Sequence, residues 1–155
     1  MEQIAIEKFN YLTNQYIELI INLIDYCDEK KILPKKIIFF LDTIKKNLIE
    51  NKFEIIQNSL QHILENKETI LNFSLDSLEE DSNDKSSNNL NNIYQLKNLI
   101  KNTNQYTNQN ELEIINLIIE IKKNAKILLI KDDIIIIKDY IEIMIMILEK
   151  IKILF

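Results

Sequence analysis

The hydrophobic pattern of the last 24 residues, which read DDIIIIKDYIEIMIMILEKIKILF from Asp132 to Phe155, decides the fold class. A strand is excluded because charged residues stand side by side at 138–139 and 149–150, which breaks the alternation of polar and apolar positions. A membrane span needs about 20 mainly apolar residues, and charges interrupt this stretch near its middle. On a helix the charges gather on one side and leave a broad apolar face. The pattern therefore predicts a mostly buried helix at the centre of a bundle.

Apolar residues recur with alternating spacings of four and three from Ala5 to Tyr26, which predicts a first helix with a continuous packing stripe. Pro34 suits the first turn of a second helix, because the N–H that proline lacks would be unpaired there. The stripe of this second helix extends to Leu48. Two amphipathic helices are therefore expected before residue 50.

A third helix is predicted to begin near Phe53 and to reach Phe73, and its inward positions are Phe53, Ile56, Leu60 and Ile63. The segment that follows, 74–89, reads SLDSLEEDSNDKSSNN and holds five carboxylates. It has too few large apolar side chains to offset the entropy of ordering, so it is expected to be a mobile acidic loop.

Two shorter patterns complete the chain before the last helix. They predict a fourth helix over 90–100 and a fifth helix from Glu111 to Ile130, joined by a polar linker at 103–110. A chain of 155 residues is long enough for one core and short for two domains. We therefore predict a single all-α domain over 1–155, a bundle of five to six helices with a hydrophobic C-terminal central helix.

The composition excludes several sites. The chain has no glycine, which removes phosphate-binding loops, the dinucleotide-binding motif and the strained turn that carries a nucleophilic serine. Asparagine is then the residue that best tolerates a left-handed helix end, and four asparagines lie where helices should stop: Asn51, Asn72, Asn102 and Asn110. The acidic start lacks the apolar core of a signal peptide. An intracellular, soluble protein is expected.

Few side chains could carry chemistry. His62, the only histidine, lies opposite the apolar positions of the third helix and is expected in solvent. Cys27, the only cysteine, lies on the stripe of the first helix and is expected to be a buried thiol. Lys122 and Lys126 interrupt the apolar side of the fifth helix, from which long side chains usually extend to water. We predict a protein without catalytic, metal or cofactor sites; an enzyme would depend on Cys27, Lys122 and Lys126.

One basic cluster, KKILPKK, contains Lys30, Lys31, Lys35 and Lys36. Such a cluster can bind phosphate groups. Asp28 and Glu29 adjoin it, and the chain as a whole carries a net charge of −5. Association with nucleic acid through this basic patch is therefore the weaker of the alternatives for a partner.

The apolar face of the last helix is wider than a surface helix needs, and Ile141, Met144 and Leu148 are predicted to form an association face. The first hypothesis is a non-enzymatic interaction or structural protein that binds a protein partner or itself, with no small-molecule substrate. The alternative is a host-modulating module with a peptide groove, like the Bcl-2-type folds that some DNA viruses carry. Length and helix count fit this alternative, but the Asn-Trp-Gly-Arg groove motif is absent.

Three segments resemble a helical protein family of nucleocytoplasmic large DNA viruses, the mimivirus-like giant viruses. They are FNYLTNQYIELIINLID (9–25), ILNFSLDSLEED (70–81) and IIEIKKNAKILL (118–129). Relatives often follow the first helix with an aromatic–Pro–acid turn, where this chain has Tyr26-Cys27-Asp28. The resemblance implies a viral protein from an AT-rich genome that acts in the infected host cytoplasm or the virion. It implies no activity and no functional residue.

Overall fold

A computed structural model describes residues 2–72 and 108–155 of the protein. Within these ranges the chain forms helices and no strand, so the all-α prediction is confirmed. The helices are α1 (Gln3–Glu29), α2 (Lys35–Phe39), α3 (Leu41–Glu50), α4 (Lys52–His62), α5 (Lys67–Leu71), α6 (Asn108–Leu128) and α7 (Lys131–Ile153). The predicted acidic loop at 74–89 and the predicted fourth helix at 90–100 lie outside the described residues. None of the described helices is long and apolar enough to cross a membrane.

The centre of the bundle is α7, as the sequence predicts. It packs along α1 in the largest contact between helices and also touches α4 and α5. The main core joins α1, α4 and α7, and its buried members are Leu12, Tyr16, Ile17, Ile56, Ile147, Leu148 and Ile151. A smaller core joins the chain after α1 to α6, with Ile32, Ala125 and Leu129 buried. Most of the main core comes from the apolar faces of the two long helices α1 and α7.

The predicted second helix is divided at Phe40, where the backbone leaves the helical region at φ −101° and ψ 14°. The bend turns Leu41 into the interior, while Phe39 and Phe40 stay on the outside. No glycine or proline marks this position, so the sequence contains no local signal for the break.

The predicted third helix is also divided, because α4 ends at His62 and a turn at 63–66 precedes α5. The buried line of α4 is Ile56, Ser59 and His62, spaced by three residues. The prediction of an inward Phe53 is therefore wrong, since that ring is 62% exposed. The fifth helix begins at Asn108, so the last three residues of the predicted linker are helical.

Lys31 takes the left-handed conformation predicted for asparagine, with φ 63°. The Lys31 N–H donates to the Asp28 carbonyl and the Ile32 N–H to the Cys27 carbonyl, at 3.0 and 3.2 Å. These bonds form the Schellman motif that ends α1, and they carry Ile32 into the smaller core. The predicted helix ends at Asn51 and Asn72 are confirmed, but neither residue is left-handed, since their φ angles are −117° and −84°. The end predicted at Asn110 is wrong, because this residue lies inside α6. Asn102 lies outside the described ranges.

Candidate functional site

The most suggestive surface feature is a groove of about 580 Å³ between α1, α4 and the end of α7. Its lining residues are Phe9, Phe53, Ile56, Gln57, Leu60, Gln61, Glu65, Lys152 and Phe155. We call it the aromatic groove. Its volume falls within the range of about 300–1,000 Å³ that is typical of ligand-binding clefts.

Three phenylalanines from distant parts of the chain meet at this groove. The ring of Phe9 stacks on Phe53 with centroids 5.8 Å apart and planes 7° apart. Phe155 meets Phe9 edge to face at 5.6 Å and 82°. Phe9 is half-buried against the main core, whereas Phe53 and Phe155 are 62% and 74% exposed. The half-buried Phe9 ring therefore restrains two largely exposed rings by direct ring contacts.

The rest of the groove is apolar at its floor and nearly neutral at its rim. Ile56 is buried and Leu60 is half-buried, so α4 supplies the floor. Gln57 and Gln61 lie on one side of α4, four residues apart, and present amide groups that donate and accept hydrogen bonds. Glu65 and Lys152 add one charge of each sign. This arrangement can hold an apolar, weakly charged surface.

Two buried hydroxyl groups lie beneath the surface of α1. Thr13 Oγ1 and Tyr16 Oη are fully enclosed and make no hydrogen bond with a described residue. The nearby Ser59 side chain lowers the Tyr16 pKa. Burial dominates and raises the Tyr16 pKa to about 12. The phenol is therefore neutral at pH 7.

His62 is buried, so the prediction that it lies in solvent is wrong. It is the last residue of α4, and Asn66 Nδ2 donates to its main-chain carbonyl at 2.7 Å. A helical wheel whose inward line runs through Phe53 and Leu60 places His62 on the solvent side. The observed line through Ile56 and Ser59 continues to His62 at a spacing of three residues.

The three residues on which an enzyme would depend lie on α1 and α6. Cys27 is half-buried, and burial raises the pKa of its thiol to about 11, so the thiolate is scarce at pH 7. Burial lowers the pKa of Lys122, and Lys126 lies one turn further along α6. In the described ranges, no three His, Cys, Asp or Glu side chains come together as metal ligands.

The predicted basic patch is partly neutralised by acids from other helices. Lys30 Nζ lies 3.2 Å from Asp133 Oδ1, and Lys36 forms an ion pair with Glu113. Lys31 and Lys35 are exposed. Asp133 also accepts hydrogen bonds from the Tyr26 hydroxyl at 2.7 Å and from the Ile130 N–H at 3.1 Å. These two bonds are the main reason that the Asp133 pKa is lowered. The bond from Tyr26 also joins the end of α1 to the start of α7.

The predicted association face lies largely inside the protein. Leu148 is fully buried in the main core, Met144 packs against that core, and Ile141 is half-buried. The prediction is therefore wrong for Leu148, because α7 is apolar around most of its circumference and the wheel could not show which part faces outward. The exposed apolar side chains of α7 include Met146 and Ile153.

The residues of the aromatic groove were not predicted as a site, because Phe9 and Phe53 resemble ordinary stripe positions. The glutamines at 57 and 61, on the flank of an apolar stripe, are the only local signal. Comparison of the chain with protein families, characterised proteins and solved structures finds no match to any of them, so its function must be inferred from its own residues.

Proposed function

We propose that the protein is a non-enzymatic interaction module that binds a partner protein through the aromatic groove. The observation that carries this proposal is the placement of Phe53 and Phe155, which are largely exposed and yet held by Phe9. Aromatic side chains in fixed positions are common centres of binding energy, because little rotamer entropy is lost when a partner covers them.

The exposed rings are large enough to matter. With about 200 Å² for a phenylalanine side chain, exposures of 62% and 74% leave roughly 270 Å² of apolar surface in water. Covering this surface is worth about 7 kcal/mol at ~25 cal/mol per Å². Association itself costs several kcal/mol, so the two rings can support binding only as part of a wider interface.

The shape and charge of the groove favour an amphipathic helix as the partner. The apolar floor follows α4, and the amides of Gln57 and Gln61 can bind polar groups at the edge of a docked helix. The rim has no excess charge, so the partner helix should be nearly neutral. This mode of binding is the one used by peptide-groove modules of the Bcl-2 type. On the resemblance to the giant-virus family, we place this interaction in the infected host cytoplasm or the virion.

A synthetic helical peptide provides a direct test. The peptide should have zero net charge, leucines at i, i+3 and i+7, and one tryptophan on the same face. The protein has no tryptophan, so the emission of the peptide reports its burial without background. Peptides of this pattern should bind the full chain. The double variant Phe53→Ser/Phe155→Ser should bind about thirtyfold or more weakly, because a residue central to an interface contributes about 2 kcal/mol or more.

The matched control is Ile127→Ser on α6, which removes an apolar side chain of similar exposure outside the groove. This variant should bind the peptide like the unaltered chain. Equal affinity of the double variant and the control would refute the groove as the binding site. If no peptide binds and light scattering shows a strict monomer, the proposal as a whole fails.

A further inference from the structure

A second surface differs from the groove in both shape and charge. At the bend between α2 and α3, three consecutive apolar side chains point outward: Ile38, Phe39 and Phe40. Phe39 is 82% exposed, and its ring meets that of Phe40 edge to face at 5.0 Å. The neighbouring Leu41 is buried and fixes the bend to the core. We call these three exposed residues the aromatic bend.

The chain leading into the aromatic bend is basic. Residues 30–41 contain four lysines and no acid, and Asp42 is the first carboxylate after them. Lys31 and Lys35 are exposed and form no ion pair with a described residue. Lys36 pairs with Glu113, but both side chains are about half exposed, and such surface pairs are weak. A partner with a dense negative surface could therefore attract this region.

We propose that the aromatic bend and its lysines dock the protein on the surface of an anionic lipid bilayer. Phe39, the central residue of the bend, is the most exposed aromatic side chain described, and a ring that projects into solvent needs a partner that can deform around it. The headgroup region of a bilayer accepts aromatic rings while lysines contact anionic lipids. Three apolar side chains are too few to hold the protein on a neutral bilayer, so the lysines make the binding dependent on lipid charge.

Sedimentation with lipid vesicles tests this proposal on the full chain. The protein should bind vesicles that contain phosphatidylserine, and it should bind pure phosphatidylcholine vesicles at least about tenfold less. Phe39→Ser should weaken binding about tenfold, because it removes an inserting ring. Lys31→Gln and Lys35→Gln should each weaken it about fivefold, the loss expected for one lysine at an anionic surface. All three positions are exposed, so these variants should keep the helical content of the original, which circular dichroism checks.

Two controls separate this proposal from the groove. Phe53→Ser removes an exposed ring on α4 and Lys8→Gln removes an exposed lysine on α1, and neither should alter vesicle binding. A chain that fails to bind anionic vesicles, or whose binding is unchanged by Phe39→Ser, would overturn insertion of the aromatic bend. Binding to DNA, RNA or an acidic peptide with no binding to vesicles would also overturn it, and would assign the lysines to another class of partner.

Discussion

The backbone of Lys31 offers a test of how a chain without glycine ends its longest helix. Lys31 has φ 63°, which is the left-handed region, and the two main-chain bonds that end α1 hold it there. For a residue with a β-carbon this conformation costs about 1–2 kcal/mol, because the β-carbon crowds the following carbonyl oxygen. Glycine has no β-carbon and avoids this cost. Lys31→Gly should therefore stabilise the protein.

The size of the effect follows from two opposing terms. Removing the β-carbon recovers about 1–2 kcal/mol in the folded chain. Glycine also gives the unfolded chain more freedom, which costs about 0.4–1 kcal/mol. The exposed Lys31 side chain forms no ion pair with a described residue that would be lost. The net gain should be about 0.5–1 kcal/mol, which corresponds to about 1–4 °C in Tm for a chain of this length.

Urea unfolding followed by circular dichroism measures this gain. Lys31→Ala is the matched control, because alanine removes the lysine side chain but keeps the β-carbon, and it should bring no gain. Lys46→Gly, at an exposed position inside α3, should instead destabilise the protein by up to about 1 kcal/mol. If glycine and alanine at position 31 gave equal stabilities, the argument from backbone strain would be wrong.

Three further predictions concern the core, one carboxylate and the thiol. Leu148→Ala should lower the free energy of unfolding by about 2–5 kcal/mol, because the side chain is fully buried. Glu142→Lys, at an exposed position, should change it by less than about 0.5 kcal/mol. Denaturant titration of the two variants measures both effects, and similar losses would contradict the central position of α7. Folding lowers the Asp133 pKa below its usual 3.8, so the folded chain binds this proton more weakly and the stabilisation is lost as the pH falls from about 4 toward the folded pKa. The Asp133→Asn variant should therefore lose less stability than the unaltered chain as the pH falls from about 4 toward the folded pKa. Equal losses of stability in the two proteins would refute a lowered pKa of Asp133 as a source of stability. Cys27, with a pKa of about 11, should react with a disulfide reagent more slowly than a free cysteine at pH 8 and at an ordinary rate in urea.

The long helices were predictable because each repeats one pattern many times. The last predicted helix, 132–155, matches α7 to within two residues, and the stripe of the first helix matches α1. The acids at the start of α7 also act locally, since the Asp133 carboxylate accepts the N–H of Ile130. Periodicity and capping are local properties, and local properties can be read from sequence.

The breaks and the groove depend on tertiary contacts and could not be predicted in this way. The helix is interrupted at Phe40 although no glycine or proline is present there. The change of direction accompanies the burial of Leu41, which is a tertiary contact that the neighbouring residues do not predict. The aromatic groove unites Phe9, Phe53 and Phe155, which are separated by 44 and 102 residues along the chain. Their meeting depends on how α1, α4 and α7 pack, so the sequence stripes alone left each ring as a candidate for the core.

The two proposed surfaces also differ in how they should respond to salt, and this difference tests their independence. The rim of the aromatic groove has one charge of each sign, so binding of a neutral helical peptide should change little with ionic strength. The aromatic bend depends on exposed lysines, and raising the salt from about 0.1 M to about 1 M shortens the Debye length from about 10 Å to about 3 Å. Vesicle binding should therefore fall steeply while peptide binding persists. If the affinities for vesicles and for the peptide fell equally with salt, both probes would bind one charged surface. The proposal of a neutral partner for the aromatic groove would then be wrong.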